Sequence, residues 1–488
     1  MGSGGRPRAL SALSNIIAHS TTEFEEMRGV ITVLLRLDRQ VAVERAREAA
    51  VGLLDEKHSV KFRSRIEREG GDKGNYIFVE VPRDEVDMKK HVREVDGVTV
   101  DGLEGFVAEL LTQAMPFDQV QWEFLLLPDA KAAVVRVHHA VADGISLAVI
   151  LHELLAGKKI DFKLPRPASA RANQVPWWQR PIHSLRVALY HFAVAFKLPT
   201  IGPDTQSMFS RNEIGHCPKQ FVLARSTAVP LDGKIKEIKA ALGGTVNDIV
   251  VGALSGMFHD TLVERDPAAL ASGTSQFQLM CTCNTRTEAE TRQLFEDLEP
   301  RNQWVFLPVR LPVCSTSPSA RLVKAKQELD DLKRGPLVPM LLKLLLPMLS
   351  RFPVDFVMDD MRKSLPNASA TMTIVPGPPS PVSYCGATVL DMDLFMTATT
   401  STFCALISYN GKIKLCLTAN GSEMGLDAKD VGEIAARFPA QIDAMHADLA
   451  NLAAERRKTF SWADLLYEQA LGVGFAALAV GLFHLVTG

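Results

Sequence analysis

Two adjacent histidines, His138 and His139, are followed closely by Asp143 and Gly144 in the segment HHAVADG. Imidazole has its ordinary pKa near neutrality, so it can take a proton from a hydroxyl and return it within one turnover. Acyl transfer to an alcohol needs such a base. An isolated His-His pair is structural more often than catalytic. An Asp and a Gly at these spacings, between a strand pattern and a helix pattern, tip the reading towards chemistry. From Ala133 to His139 the residues alternate: Ala133, Val135, Val137 and His139 share one face, Val134, Arg136 and His138 the other. The two imidazoles therefore address opposite sides, and either side could border a cavity. Asp143 can fold back beneath the loop, and Gly144 is expected to permit a sharp turn.

The elements around this motif are legible in outline. After Gly144, ISLAVILHELLAG reads as a helix ended by Gly157, so strand, short loop and helix follow in order. Residues 163–181, KLPRPASARANQVPWWQRP, hold four prolines among small polar residues and read as an interdomain crossover. A helical apolar pattern follows from Ile182 to Leu198. The second domain opens on a helix carrying Ile235, Ile238 and Leu242, stopped by Gly243-Gly244. Thr245 then looks like an N-cap with Asn247-Asp248 in the first turn of the next helix. FCALISYNGKIKLCLTAN predicts a hairpin, with Asn410-Gly411 suited to a type I′ turn. The expected divisions are a flexible terminus (1–22), a domain with the histidines (23–162), a crossover and helix (163–220), a second domain (221–460) and an apolar C-terminal helix (461–488). The mixture of helices and strands points to an α/β fold.

At 488 residues the chain exceeds one hydrophobic core, which also favours two domains. A formal net charge of −2 lacks the basic bias of nucleic-acid binders. The seven cysteines contain no CxxC pair, so neither a disulfide framework nor a metal site is expected.

Several stretches together resemble one family. HHAVADG matches the HHxxxDG signature of the superfamily that includes chloramphenicol acetyltransferase and peptide-synthetase condensation domains. The wider context is similar to the bifunctional wax ester synthase/diacylglycerol acyltransferases. It rests on Val60-Lys61-Phe62-Arg63-Ser64-Arg65, on FDQVQWEF with Trp122 and Glu123, and on Asn247-Asp248. Cys283-Asn284-Thr285-Arg286, Arg301-Asn302, Val375-Pro376-Gly377-Pro378 and SYNGKIKLCLTAN continue it in order. Val120-Gln121-Trp122 stands where the family has Pro-Leu-Trp, and Ile374 where it usually has Asn.

The resemblance implies two pseudo-symmetric chloramphenicol-acetyltransferase-like domains enclosing a substrate tunnel. It implies an acyl-CoA-dependent O-acyltransferase that joins a long-chain acyl group to a long-chain alcohol or diacylglycerol. Acyl-CoA is then a co-substrate, and no cofactor is called for. A condensation-domain-like enzyme fed by carrier-protein thioesters is the alternative. Of the motif residues His138, His139 and Asp143, it makes His139 the base and Asp143 a brace, with Arg286 as its natural partner and Gly144, Asn247 and Asp248 in support. Trp122 reads as core packing.

Two apolar stretches bear on lipid. Residues 469–488, QALGVGFAALAVGLFHLVTG, are long enough at ~1.5 Å per residue to cross a hydrocarbon core of ~30 Å. Residues 336–350, PLVPMLLKLLLPMLS, are too short to span and read as a buried helix, a wall of the acyl tunnel or an interfacial helix. These imply a membrane or lipid-droplet surface, the endoplasmic reticulum in a eukaryote, with the catalytic domains facing the cytoplasm.

Overall fold

A computed structural model describes residues 7–24, 27–55, 60–71, 74–156, 204–210, 220–273, 275–334, 354–364, 367–397 and 400–458. The expectations for the crossover, for residues 336–350 and for the C-terminal apolar stretch fall outside these residues. In the first half the strands are β1 (Arg8–Ala9), β2 (Val30–Leu37), β3 (Ser64–Arg68), β4 (Tyr76–Glu80), β5 (Val92–Glu94), β6 (Trp122–Leu127) and β7 (Ala132–His138). The second half adds β8 (Phe221–Arg225), β9 (Val229–Pro230), β10 (Gln278–Asn284), β11 (Trp304–Arg310) and β12 (Ala370–Pro376). It ends with β13 (Ser383–Tyr384), β14 (Ala387–Phe395), β15 (Thr402–Tyr409) and β16 (Lys412–Asn420).

These strands form two principal sheets, each with its own large apolar core, in the mixed α/β, two-domain arrangement expected. The first runs β13-β14-β2-β7-β6-β5 and the second β11-β10-β12-β15-β16-β8, with β9 also on β16. A small sheet, β1-β4-β3, stands beside them. The division at residue 221 therefore follows the chain but not the packing. Strand β14 leaves the second half and pairs antiparallel with β2, so residues 383–395 complete the first sheet. A strand that satisfies a sheet's open edge can come from far along the chain, because the loop-closure cost grows only slowly with chain separation.

Central β7, AAVVRVH, is buried along its whole length. Its β-branched residues suit a strand covered on both faces, and it pairs with β2 on one side and β6 on the other. Arg136 survives there because Glu123 pairs with it and the carbonyls of Leu110 and Gln113 accept from it at 3.0 and 2.7 Å.

Residues expected to be flexible form a helix instead, Ala12–Glu23, capped by the Ser11 side chain. Its serines, threonines and asparagine lower intrinsic propensity, but Ile17 and Ala18 pack into the first core and override it.

Local signals elsewhere hold. Thr245 and Asp248 close a capping box on the Val246–Arg265 helix. Asn410 and Gly411 take φ of +48° and +72° at the β15–β16 turn, as a type I′ hairpin requires. Among the described residues no single helix is long and apolar enough to cross a membrane.

Candidate active site

His138 ends β7, and His139 continues it by donating its backbone N–H to Gly29 O at 2.6 Å. Their surroundings differ sharply. His138 is fully buried, its Nδ1 accepting from the Ala140 backbone N–H at 3.2 Å. Its proton must therefore sit on Nε2, which donates to Thr21 Oγ1 at 3.1 Å, while that hydroxyl donates to Ile17 O. Burial, with His139 beside it, pushes the His138 pKa down to about 3. Both nitrogens are committed, so His138 is a neutral structural ring.

His139 is half-buried, and its Nδ1 lies 3.1 Å from Asn302 Oδ1. The other end of that amide lies 2.6 and 3.2 Å from the carbonyl oxygens of His139 and Ala140, which only accept. Nδ2 must face them, so Oδ1 faces the ring and Nδ1 carries the imidazole proton. Nε2 is then left with its lone pair, and no protein group among the described residues hydrogen-bonds it. Burial lowers the His139 pKa below its ordinary 6.5, while Asp143 and Asn302 oppose that shift. At neutral pH the ring is uncharged, with Nε2 able to accept a proton. The Trp304 ring lies 5.4 Å from it, centroid to centroid.

Asp143 and Arg286 meet, Nη2 to Oδ2 at 2.8 Å, both buried. Asp143 also accepts from the backbone N–H of Ser146 at 2.9 Å and of Gln303 at 3.0 Å, which caps the Gly144–Ala156 helix. Arg286 donates further to Asn284 Oδ1, Ser146 Oγ and Arg301 O. Together these hydrogen bonds tie the motif loop and the start of its helix to residues 284–286 and 301–303, so the carboxylate is a brace, spent on structure. Removing either partner would strand a buried charge at a cost of ~3–5 kcal/mol.

Gly144 serves differently from expectation. Its φ is not positive; rather, a Cβ there would lie 3.0 Å from Val375 Cγ2, so glycine lets the VPGP strand close on the helix start. Asn247 is exposed and Asp248 is buried in the capping box, both at the start of the Val246–Arg265 helix. Trp122 is core, its indole donating to Phe62 O at 2.6 Å. No cluster of three or more His, Cys, Asp or Glu gathers among the described residues to hold a metal ion.

The wax ester synthase/diacylglycerol acyltransferase catalytic domain matches residues 19–201, and the WS/DGAT C-terminal domain matches residues 301–429. The chain belongs to the wax ester synthase/diacylglycerol acyltransferase family. It is an acyltransferase. The first matched region carries HHAVADG, the second Asn302 and the hairpin; Arg286 lies between them. Among solved structures, the wax ester synthase/diacylglycerol acyltransferase from Marinobacter aquaeolei VT8 aligns with a TM-score of 0.55 at 15% identity, covering 91% of this chain and 100% of its own. The first condensation domain of the CDA synthetase aligns with a TM-score of 0.61 at 15% identity, covering 91% and 97%. At these identities the likeness is one of fold. A search of curated proteins finds no match.

Three contributors to the site had no role assigned from sequence. In sequence Asn302 stands out only within Arg301-Asn302, and Ser14 and Thr21 lie in residues 1–22, where a flexible terminus is expected. The serine hydroxyl meets Asn302 Nδ2 at 3.0 Å. A helix pattern with Ser11 as its cap was the available signal for the last two.

Proposed function

We propose that this acyltransferase moves a long-chain acyl group from acyl-CoA to the hydroxyl of a long-chain alcohol or diacylglycerol, with His139 as general base. The fixed tautomer of His139 carries the reading, because Asn302 holds the proton on Nδ1 and leaves Nε2 open. Nε2 takes the acceptor's hydroxyl proton as its oxygen attacks the thioester carbonyl carbon. The tetrahedral intermediate collapses, the carbon–sulfur bond breaks, and the imidazolium returns the proton to the departing CoA thiolate. No acyl-enzyme is required. The Trp304 ring on β11 lies beside His139, with Phe306 packed against it.

Purified full-length protein should release free CoA from palmitoyl-CoA only when an alcohol is supplied, and His139→Ala should abolish that release. Full activity in the variant overturns the His139 assignment. Turnover with an acyl carrier protein and an amine, but none with acyl-CoA and alcohol, would replace this reading with a condensation reaction. Lipid analysis after expression in cells lacking neutral lipid separates wax ester from triacylglycerol.

We also propose membrane association through the apolar residues 469–488, which hold no formal charge besides His484 when protonated. Truncation after Asp464 should turn a membrane-bound protein soluble, and an unchanged distribution removes the idea.

A further inference from the structure

The two tryptophans among the described residues, Trp122 and Trp304, are treated oppositely by the fold. The Trp122 indole donates to Phe62 O. The Trp304 indole Nε1–H is also shut off from water, yet no acceptor among the described residues meets it. A buried N–H without an acceptor is costly, so its persistence calls for an explanation. Here it stands beside the proposed base, ring to ring at 5.4 Å and tilted 57°.

The chain around it explains why the ring is where it is. Asn302 lies two residues before Trp304, just ahead of β11, and both reach His139. Phe306, two further on, holds the indole edge-on at 4.8 Å. One short segment at the start of β11 thus supplies the group that fixes the base's tautomer and, next to it, a donor on a rigid ring. A donor with no partner in the free protein suits charge that appears only during reaction; because this N–H is shut off from water, the thioester oxygen reaches it only once the bound acyl chain has opened the contacts around the indole.

We propose that Trp304 Nε1–H donates to the carbonyl oxygen of the acyl thioester and to the oxyanion it becomes, a role that rests on the acyl-transfer reading above. As His139 Nε2 takes the acceptor's proton and the new carbon–oxygen bond forms, the carbonyl π pair moves onto that oxygen beside the indole. When the pair returns, the carbon–sulfur bond breaks, and the thiolate takes the proton from His139. Trp304 exchanges no proton and is a donor throughout.

Trp304→Phe keeps an aromatic ring and removes the N–H. In the palmitoyl-CoA and alcohol assay its kcat should fall ~10²–10³-fold with KM within about twofold, as for loss of one oxyanion donor. An unchanged kcat overturns the proposal, the N–H then facing only the Phe306 ring. A raised KM with unchanged kcat overturns it too, because the ring would then be a wall for the acyl chain. A second readout is independent of turnover. The chain has five tryptophans, so a spectrum labelled on indole nitrogen is sparse, and the line lost in Trp304→Phe belongs to Trp304. Palmitoyl-CoA without alcohol should shift that line in the wild type; a line that stays put while palmitoyl-CoA binds overturns the proposal. Failure of the acyl-transfer reading looks different: the wild type releases no CoA with any alcohol, or His139→Ala stays fully active.

Discussion

Two of the polar seams that join the halves of the molecule are built on opposite plans. At the active-site seam, Asn302 of the second half holds His139 of the first, and Arg286 holds Asp143. At the other, six charges close on one another. Arg36 of β2 contacts Asp393 of β14 at 3.3 Å and Glu104 at 2.7 Å. Arg225 of β8 reaches Glu104 and Asp391, while Lys414 of β16 pairs with Asp393 and lies 2.6 Å from Asp391. Three cations face three anions, so this seam is neutral and self-contained. The active-site seam spends the Asp143–Arg286 ion pair on the loop and keeps the reacting ring uncharged, with a nitrogen open. One seam holds the halves together; the other, held in the same way by Arg286, is left able to receive a substrate.

The largest test of this contrast separates chemistry from stability. His139→Ala should lower kcat ~10²–10⁴-fold, the usual worth of a general base, with little change in Tm. Lys414→Met should do the reverse. It leaves buried Asp393 without its nearest cation and should cost ~3–5 kcal/mol of stability, while folded molecules keep their kcat. A Lys414→Met protein that is as stable as wild type but slow would erase the distinction between the seams.

The sequence showed much of the first seam and none of the second. Strand, loop and helix around HHAVADG, the Asn410-Gly411 hairpin and the Thr245 cap are local, and local chemistry specifies them. The choice between the two histidines is not local. Strand alternation puts them on opposite faces, but their roles are set by Thr21 and Asn302, 117 and 163 residues away in the chain. In the second seam, Asp391 and Asp393 alternate along β14 as a solvated strand face would. Nothing near them in sequence says that β14 crosses to the first sheet or that Lys414 waits beneath it. Long-range pairing decides burial there, and burial decides what a charge is for.

A smaller effect probes how the first seam tunes its base. A protonated His139 cannot accept a proton, so the rate should fall as pH drops through its pKa and level off above it. Burial holds that pKa below 6.5, which puts the acid limb of the pH–rate profile below 6.5 in the wild type. Asn302→Asp keeps an oxygen facing Nδ1–H but makes it anionic. A carboxylate at hydrogen-bond distance favours the imidazolium, so the His139 pKa rises and the acid limb moves to higher pH. The same change removes the amide donor to the His139 and Ala140 carbonyls, so stability falls as well. Lost stability alone lowers the amount of folded enzyme without moving the limb. An acid limb that stays in place would mean that Asn302 supports the loop without touching the base, and the active-site seam would then be as purely structural as the other.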